Sequence, residues 1–444
     1  MEIDKYMSEE HHMHINWEEH QKDPSVCIRD ASLEDKAYII SRVGIMELAV
    51  GAGAWRVLDA MNILSRALDV KCSADIGLCS LSCSFTGGGE VFTQQLTIPT
   101  TGINTAKMEK LIPCIRKMAE HPESVSVAQA HEMLEKVSKA RGLYTPLQVG
   151  LASGVACFGF TFLLGGGFIE MIGALIGAFV GNFSRRLMID RRMSLVANVI
   201  CSVGLDCLAT ILYYRVIEGL FGVSPENEAG YICAMLFIIP GFPLINGGFD
   251  LAKSHMRSGI ERLVYALMII TVATFTGWLT AYALSFSPGD FVALNLGLLP
   301  RVILRLICSF LGVYGFSMMY NSTRRMCFLA GLIGMTANTL RLELVDLAHM
   351  PAPAAALTGA FTAGMLAALV CRKFVNLPRI SLSIPAIVIM VPGMYMYKAI
   401  YYFGIGESTT GLGWLSGAAL IVLALPTGLI LARILTDHRF RVCG

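Results

Sequence analysis

The segment Ile238-Ile239-Pro240-Gly241-Phe242-Pro243-Leu244 lies in an apolar run over residues 230–249, and Met390-Val391-Pro392-Gly393-Met394-Tyr395-Met396 lies in another over 380–402. Each run is long enough to cross a bilayer, because about 20 helical residues cover about 30 Å of hydrocarbon. A proline inside a helix removes an amide donor and clashes with the preceding turn, and a glycine beside it lets the backbone bend. Such breaks are tolerated at membrane depth where they line a cavity. The two segments therefore predict a membrane protein with two broken helices.

The broken helices belong to an internal repeat. Leu175-Ile176-Gly177 precedes Asn182 and Arg185, just as Leu332-Ile333-Gly334 precedes Asn338 and Arg341. The distance to the following Pro-Gly is 58 residues in the first half and 54 in the second. With five spans in each half, an odd number, the second half starts on the opposite side of the membrane. Inverted repeats with broken helices at matching positions are typical of secondary transporters.

Ten apolar segments around this repeat are candidate spans. They are about 147–164, 168–183, 194–214, 230–249, 263–285, 299–318, 326–343, 352–371, 380–402 and 412–434. The predicted fold class is a mainly α-helical polytopic membrane protein with about ten transmembrane helices as 5+5 inverted repeats, preceded by a small cytoplasmic α+β domain. We predict a disordered tail over 1–30, the α+β domain over 31–145, the first repeat over 146–290 and the second over 291–444.

Composition and charge agree with this division. The 444 residues are 55% hydrophobic and 15% charged, against about 25% charged in soluble domains. The net charge of +2 does not suggest a nucleic-acid partner. Of the 20 basic residues after position 146, 15 fall in loops on the side of the N-terminus, which predicts cytoplasmic N- and C-termini in a multi-pass plasma-membrane protein. The first thirty residues lack the apolar core of a cleavable signal peptide.

The region before the spans predicts helices over 33–50 and 55–68, strands over 72–85 and 91–98, and helices over 105–120 and 126–141. Thr86-Gly87-Gly88-Gly89 is interpreted as a hairpin turn rather than a phosphate-binding loop. The scattered cysteines are interpreted as reduced. His11, His12, His14 and His20 either bind a metal adventitiously or belong to a disordered tail.

Several polar groups in the apolar region are candidates for the transport path. A half-helix amino terminus attracts a carboxylate, so the two breaks predict a site for a small carboxylate-bearing solute. A charged group inside a span is costly, so Asp206 is expected to have a specific role. It either binds a proton or the substrate, or it is a structural, hydrogen-bonded acid. Asn182 and Asn338 line the path or bridge helices, Lys398 pairs with a substrate carboxylate or snorkels to the interface, and Asp250 lies at a helix end. The full set is Pro240, Gly241, Asn246, Asp250, Pro392, Gly393, Tyr395, Lys398, Asn182, Asn338 and Asp206.

Other chemistries lack their motifs in this sequence. There is no Walker loop, HExxH or paired CxxC, so we predict no ATP drive, no catalytic residue, no metal site and no cofactor. A membrane-anchored hydrolase is a competing hypothesis, and a soluble domain that senses solute and gates the membrane part is a further hypothesis compatible with transport. The expected partners are a small-molecule substrate and the lipid bilayer, and the sequence leaves open whether the chain forms a homo-oligomer.

The chain resembles the bacterial threonine/serine exporter family. The segments that carry the resemblance are Gly51-Ala52-Gly53-Ala54-Trp55-Arg56-Val57, the stretch Ser124–Lys139, Ile239–Ile245 with Asp250, and Val391–Tyr395, within a similarity over about 33–436. The resemblance implies export of threonine and serine driven by an ion gradient, with protons as the expected coupling ion. Related two-subunit members imply dicarboxylate export, such as succinate, as the alternative. One departure is that relatives commonly carry an acid in the Gly-Ala-x-x-x-Arg stretch, where this chain has Gly53 and Ala54.

Overall fold

A computed structural model describes residues 15–17, 19, 21–222, 230–286, 291, 294–374 and 377–441. The predicted histidine cluster at positions 11, 12, 14 and 20 lies outside the described residues. The chain forms two compact units, one of Met1–Arg141 with Phe249–Glu261, the other of Gly142–Gly248 with Arg262–Gly444.

The first unit is an α+β domain with a three-stranded antiparallel meander. Its elements are α1 (Leu33–Ala49), α2 (Ala54–Ala67), β1 (Lys71–Ile76), β2 (Ser80–Gly87), β3 (Glu90–Thr97), α3 (Thr105–Glu120) and α4 (Val127–Ser138). The four predicted helices are confirmed. Ser126 caps α4 in a capping box with Gln129, as the sequence indicated. The prediction of a single strand over 72–85 was wrong, because a turn at Gly77 divides this stretch into β1 and β2. In the turn, the Gly77 N–H donates to the Ser80 carbonyl over 2.9 Å.

The turn between β2 and β3 confirms the hairpin interpretation. Gly88 and Gly89 have φ of 58° and 86°, and the strands pair from Gly87 opposite Glu90 onward. Two successive positive φ angles are typical of a tight hairpin turn whose twist matches the strands. Three alternate residues of β2, Leu81, Cys83 and Phe85, are buried and form part of the core against α1.

The last residues of the predicted tail pack against this domain. Ile28 is fully buried, its N–H donates to the Val125 carbonyl over 2.9 Å, and Cys27 forms a β-bridge with Ser126. An apolar side chain next to the N-cap of α4 thus extends the ordered domain to before residue 31, where the sequence placed its boundary.

The apolar helices follow the same order in both halves of the chain, three long helices, a bent pair and a long helix. The first half has α5 (Pro146–Leu163), α6 (Phe168–Asp190), α7 (Leu195–Phe221), the pair α8 (Gly230–Ala234) with a 3-10 turn (Met235–Ile238) and α9 (Gly241–Ala252), then α10 (Met256–Ala283). The second has α11 (Leu298–Met319), α12 (Arg324–Asp346), α13 (Ala352–Lys373), the pair α14 (Ile380–Val388) and α15 (Gly393–Gly404), then α16 (Ser408–Thr436), which the short α17 (His438–Arg441) follows.

Eight of the described helices are each long and apolar enough to cross a membrane, and the total is ten when each bent pair is one span. The ten predicted spans are confirmed on this count, including the two separated by Gly165–Gly167. Most helices extend several residues beyond the apolar runs, because polar residues at the ends of the runs remain helical. The protein is therefore a polytopic helical membrane protein.

The two halves are related by a local pseudo-two-fold axis in the second unit. A Cβ on Gly159 of α5 would lie 2.6 Å from the Cys308 carbonyl oxygen of α11, and a Cβ on Gly315 of α11 would meet the Ala152 carbonyl oxygen of α5. In the repeat, Gly159 corresponds to Gly315 and Ala152 to Cys308, each 156 residues later. Exchanging the two halves therefore converts one contact into the other. Small residues allow this close helix crossing. The halves interlock within one compact unit rather than forming two domains.

Candidate functional site

The two helix breaks have the same backbone structure. The Gly241 N–H donates to the Ile239 carbonyl over 2.8 Å, and the Gly393 N–H donates to the Val391 carbonyl over 2.8 Å. Pro392, at the centre of the second turn, has φ −81° and ψ 57°, the geometry of an inverse γ-turn. The helix axes bend by 58° at the first break and 49° at the second. A proline followed by a glycine thus turns the chain in the same way in both halves.

The breaks also contact each other reciprocally. A Cβ on Gly241 would meet Val388 Cγ2 and lie 3.3 Å from Val391 Cγ2. A Cβ on Gly393 would meet Ile239 Cδ1 and lie 2.6 Å from Leu236 Cδ2. In each case the contacted residues stand four and one positions before the proline of the other break. The pseudo-two-fold axis therefore passes between the breaks, and only glycine lets the backbones approach so closely.

A small apolar cavity lies on this axis, between the breaks. It has a volume of about 10 Å³, room for about one water molecule, so the path is closed here. The lining consists of three pairs of matched residues, Phe160 with Phe316, Leu236 with Val388, and Ile239 with Val391. Since α9 and α15 both begin at the glycine that follows the proline, the amino-terminal ends of both half-helices are at this closed junction.

Asp206 lies beside the first break and has no polar partner for its carboxyl group among the described residues. Its side chain is fully buried in α7, and neither carboxyl oxygen accepts a hydrogen bond. The nearby Thr210 hydroxyl donates instead to the Asp206 backbone carbonyl, over 2.9 Å. A Cβ on Gly181 of α6 would lie 2.8 Å both from Asp206 Cβ and from the ring of Phe237 in the 3-10 turn. A buried carboxyl without a partner is costly to keep ionised, so this site can bind a proton or a cation when the surroundings change.

The matched asparagines bridge neighbouring helices. The Asn182 side-chain amide donates to the Val149 carbonyl of α5 over 3.4 Å, and the Asn338 amide donates to the Ser309 hydroxyl of α11 over 2.9 Å. Both side chains are buried, and both amide oxygens lack a partner among the described residues. Their donor groups therefore join helices of the same half, and their acceptor oxygens remain available.

Asn246 and Asp250 are both buried in α9. The Ser258 hydroxyl of α10 donates to Asp250 over 2.9 Å, and Asp250 is fully buried rather than at a solvated helix end. This bond joins the ends of the two helices on either side of the short 253–255 connection.

Tyr395 and Lys398 lie on α15 against Trp414 of α16. The Tyr395 ring packs edge-on against the Trp414 ring at 5.0 Å between centroids, and the Lys398 ammonium lies 4.7 Å from the centroid of the same ring. A cation over an indole face is stabilised by the ring quadrupole. Lys398 thus has an aromatic neighbour on α16, and its pairing with a substrate carboxylate stays a prediction.

The sequence-based choice of site residues missed two arginines that the structure singles out. Arg185 of α6 and Arg341 of α12 are largely buried, and neither guanidinium forms an ion pair or donates a hydrogen bond to any described residue. Tyr397 of α15 was also missed, and its buried hydroxyl has no partner among the described residues. The repeat contained the signal for the arginines, since each follows its matched asparagine by three residues.

The first unit contains a buried polar cluster between α1 and α4. Arg42 donates to His131 Nδ1 over 3.0 Å and pairs with Glu135. Burial first, and the Arg42 guanidinium second, lower the pKa of His131 to about 4. With a pKa of about 4 His131 is a weak base, and its Nδ1 already accepts the hydrogen bond from Arg42, so it is poorly suited to general-base catalysis. No group of His, Cys, Asp and Glu among the described residues could hold a metal ion.

A second buried ion pair of this unit includes the arginine of the Gly-Ala-x-x-x-Arg stretch. Arg56 donates to both oxygens of the fully buried Glu47, over 3.1 and 3.2 Å, and so joins α2 to α1. The glycine that begins the stretch, Gly51, has φ of 89°, and a Cβ there would lie 2.6 Å from the Gly102 carbonyl oxygen. These contacts give the stretch a structural role in the domain core.

Comparisons with known proteins agree with the architecture. A family model described as "Putative threonine/serine exporter" matches residues 38–285, and one described as "Threonine/Serine exporter, ThrE" matches residues 305–435. The "Probable threonine/serine exporter" of Mycobacterium tuberculosis is 23% identical over 414 residues, which cover 89% of this chain and 75% of that protein. The "Probable succinate transporter subunit YjjP" of Klebsiella aerogenes is 25% identical over 189 residues, 43% of this chain and 70% of the subunit. The Escherichia coli protein of the same description is 29% identical over 133 residues, 29% of this chain and 48% of that protein. No solved structure matches this chain.

Proposed function

We propose that this chain, which belongs to the threonine/serine exporter family, is a secondary transporter that exports threonine and serine from the cytoplasm and is coupled to the proton gradient. The observation that carries the proposal is the reciprocal contact of the two Pro-Gly breaks across a closed cavity. Membership of an exporter family supports the direction of transport and favours a transporter over a hydrolase.

The pseudo-two-fold contact supports alternating access. Two halves with the same local structure and opposite orientation can exchange conformations, so that one arrangement is open to the cytoplasm and its counterpart is open to the outside. In the closed arrangement the cavity has room for about one water, so an amino acid enters only when the breaks separate. The substrate carboxylate would then meet the amino-terminal ends of α9 and α15.

Asp206 supports the proton-coupled part of the proposal. Its carboxyl is buried without a hydrogen-bond partner among the described residues, and a Cβ on Gly181 would contact both Asp206 Cβ and the ring of Phe237, three residues before Pro240. Separation of the breaks would change the solvation of this carboxyl, and a change of solvation changes its proton affinity. Binding or release of a proton at Asp206 would in this way be linked to opening of the path.

We further propose that both termini and the α+β domain are cytoplasmic, as the distribution of basic residues indicates. In this orientation the domain meets substrate before export, which keeps a sensing role compatible with transport. The second candidate function is export of a dicarboxylate. It is favoured by the similarity to two proteins described as succinate transporter subunits. On the same ground we propose that this chain assembles with further subunits.

The test is efflux of labelled threonine, serine and succinate from cells that carry wild type, Pro240→Ala with Pro392→Ala, or Asp206→Asn. The matched control is Pro353→Ala, since Pro353 lies in the first turn of α13, where proline disturbs no helical hydrogen bond. We expect wild-type-dependent threonine and serine efflux, a loss of roughly tenfold or more in the break and Asp206 variants, about 1.4 kcal/mol, and normal efflux in the control. Membrane levels of each variant are measured beside efflux. Succinate efflux alone would move the protein to the dicarboxylate function, and no efflux of any of the three would contradict both functions.

A further inference from the structure

Arg185 and Arg341 stand at equivalent positions of the repeat, 156 residues apart, and neither has an acceptor or acidic partner within the described part of the chain. Their neighbours are paired: Arg186 donates to the Met319 carbonyl over 2.8 Å, and Arg305 donates to Glu343 over 2.7 Å. For Arg341, the Nε atom is buried without an acceptor among the described residues. A guanidinium taken out of water without an acceptor is destabilising, which favours a role for it in binding an anion.

Arg341 faces the interior of the helix bundle next to the second break. A Cβ on Gly359 of α13 would lie 3.1 Å from Arg341 Cβ and 3.2 Å from Met390 Sδ, and Met390 stands two residues before Pro392. The titratable groups close enough to act on Arg341 are Tyr395 of α15 and Arg305 of α11. No acid is among them, and since Glu343 and Asp346 pair with Arg305, Arg341 has no acidic partner among the described residues.

Arg185 has an equivalent position beside the first half-helix. The titratable groups that interact electrostatically with it are Arg186, beside it in the chain, Tyr265 of α10 and Tyr320 at the end of α11. The Tyr320 ring packs edge-on against Phe242 of α9, with 5.4 Å between centroids. Here too the guanidinium lies among aromatic hydroxyl groups and another arginine, with no acid among the described groups that act on it.

The two arginines lie toward opposite faces of the membrane. Each stands near the carboxyl end of its helix, α6 or α12, and four spans separate the end of α6 from the start of α12. An even number of intervening spans starts α12 on the face where α6 ends, so α12 ends on the other face. The repeat therefore places one unpaired guanidinium on each side of the closed cavity.

We propose that Arg185 and Arg341 bind the carboxylate of the substrate at the two ends of the transport path, one on each side of the paired breaks. The inference rests on the proposed function and adds the residues that recognise the carboxylate. A guanidinium binds a carboxylate through two parallel hydrogen bonds, one to each oxygen. An alcohol or an amine cannot accept such a pair of hydrogen bonds. Threonine, serine and succinate all carry this group, so the assignment holds for either substrate class.

The experiment compares wild type with Arg341→Gln, Arg341→Lys and Arg185→Gln in proteoliposomes, with Arg186→Gln as the matched control. Uptake of labelled threonine and of labelled succinate is measured against unlabelled threonine, succinate and threoninol, in which an alcohol replaces the carboxylate. We expect that threoninol does not inhibit uptake of labelled threonine or succinate by wild type. In each Gln variant of the proposed pair the KM should rise roughly 10- to 100-fold, and the preference for threonine over threoninol should fall by a similar factor. Arg341→Lys should restore part of the preference, and Arg186→Gln should leave it within about twofold of wild type.

A binding measurement separates this inference from the proposed function. Thermal stabilisation of the purified full-length protein by threonine and by succinate, with threoninol as the blank, reports carboxylate binding without transport. Suppose that wild type transports none of the substrates but is stabilised by threonine and succinate, and that the Gln variants are not stabilised. The arginine assignment then stands and the proposed function fails. If the Gln variants keep both the stabilisation and the preference over threoninol, the assignment is overturned. It is equally overturned if their defects vary only with the content of anionic lipid, since the arginines would then bind lipid headgroups.

Discussion

Alanine at Gly241 should separate the two helix breaks. The new Cβ would meet Val388 Cγ2, and carbon atoms in contact prefer about 3.5–4.0 Å, so the backbones must move apart by about 1 Å. Valine is stiff at χ1 and cannot rotate its methyl away without a strained rotamer. Overpacking of this kind costs about 1–3 kcal/mol, which reduces the closed population roughly 5- to 150-fold relative to open states.

The repeat supplies an internal comparison at Gly393. A Cβ there would meet Ile239 Cδ1 and Leu236 Cδ2, the ends of longer side chains that can adopt other rotamers. We therefore expect Gly393→Ala to be the milder of the two substitutions although the contacts are symmetric in sequence. Gly204→Ala in α7 is the control, because nothing lies within 4 Å of its added Cβ and alanine favours the helix.

Alkylation of Cys157 reports the closed population directly. This thiol is fully buried in α5, with Sγ 3.6 Å from the Ala234 carbonyl beside the first break. Its modification by a membrane-permeant maleimide, followed by peptide mass spectrometry, should speed up by the same factor as the closed-to-open ratio falls while the closed state remains dominant. We expect the fastest modification in Gly241→Ala, an intermediate rate in Gly393→Ala and the wild-type rate in Gly204→Ala. Equal rates in Gly241→Ala and Gly204→Ala would refute the assignment of Gly241 as the contact that holds the path closed.

Three further outcomes are expected. Asp206→Asn should reduce threonine transport driven by a pH gradient at least roughly tenfold while substrate exchange persists, about 1.4 kcal/mol of lost coupling; proton movement followed with an entrapped pH dye checks it, and an unchanged pH dependence would contradict the coupling role. Asp75→Asn removes the pair between Asp75 and Arg257, which is about half exposed and so contributes under ~1 kcal/mol; faster hydrogen exchange confined to residues 71–80 is expected, and slower or unchanged exchange would argue against the contact. Because the folded pKa of His131 is lowered from 6.5 to about 4, the unfolded chain binds the proton first, and the domain should lose up to about 3 kcal/mol as the pH falls from 6.5 to 4; thermal melting across this range in wild type and His131→Gln measures the loss, and identical pH profiles would disprove it.

The helical part of the fold could be read from the sequence because local signals agree with the tertiary structure. Ser126 with Gln129 marks the start of α4, and each Pro-Gly marks a bend within a span. The single strand over 72–85 could not be divided on the same basis. Gly77-Leu78-Cys79 has only one turn-forming residue, and the antiparallel pairing that divides the stretch is a non-local contact.

The candidate site could be predicted only where chain geometry was sufficient. The matched prolines could be paired from their order in the repeat, and the structure brings the two breaks into contact. The state of a polar side chain depends instead on neighbours far away in sequence. Arg305 and Arg341 look alike as arginines inside apolar helices, yet Arg305 is paired with Glu343 and Asp346 while Arg341 has no acidic partner among the described residues. Lys398 likewise finds Trp414, a neighbour that the spacing from Pro392 could not reveal.

The symmetry of the two halves is broken at Asp206. The breaks, the cavity lining and the unpaired arginines all occur in matched pairs, whereas α13, the counterpart of α7, contains no acidic residue. A fully symmetric transporter would have the same energy when open to either side, since a two-fold rotation would convert one open state into the other. One titratable carboxyl next to one break makes the two open states differ in proton affinity, and a proton gradient can then favour one direction of exchange. An acid placed at Thr362 of α13, 156 residues after Asp206, should therefore weaken the directionality of transport while leaving exchange intact. Retained directionality in Thr362→Asp, with the Thr362→Asn variant as its uncharged control, would show that the direction is set elsewhere.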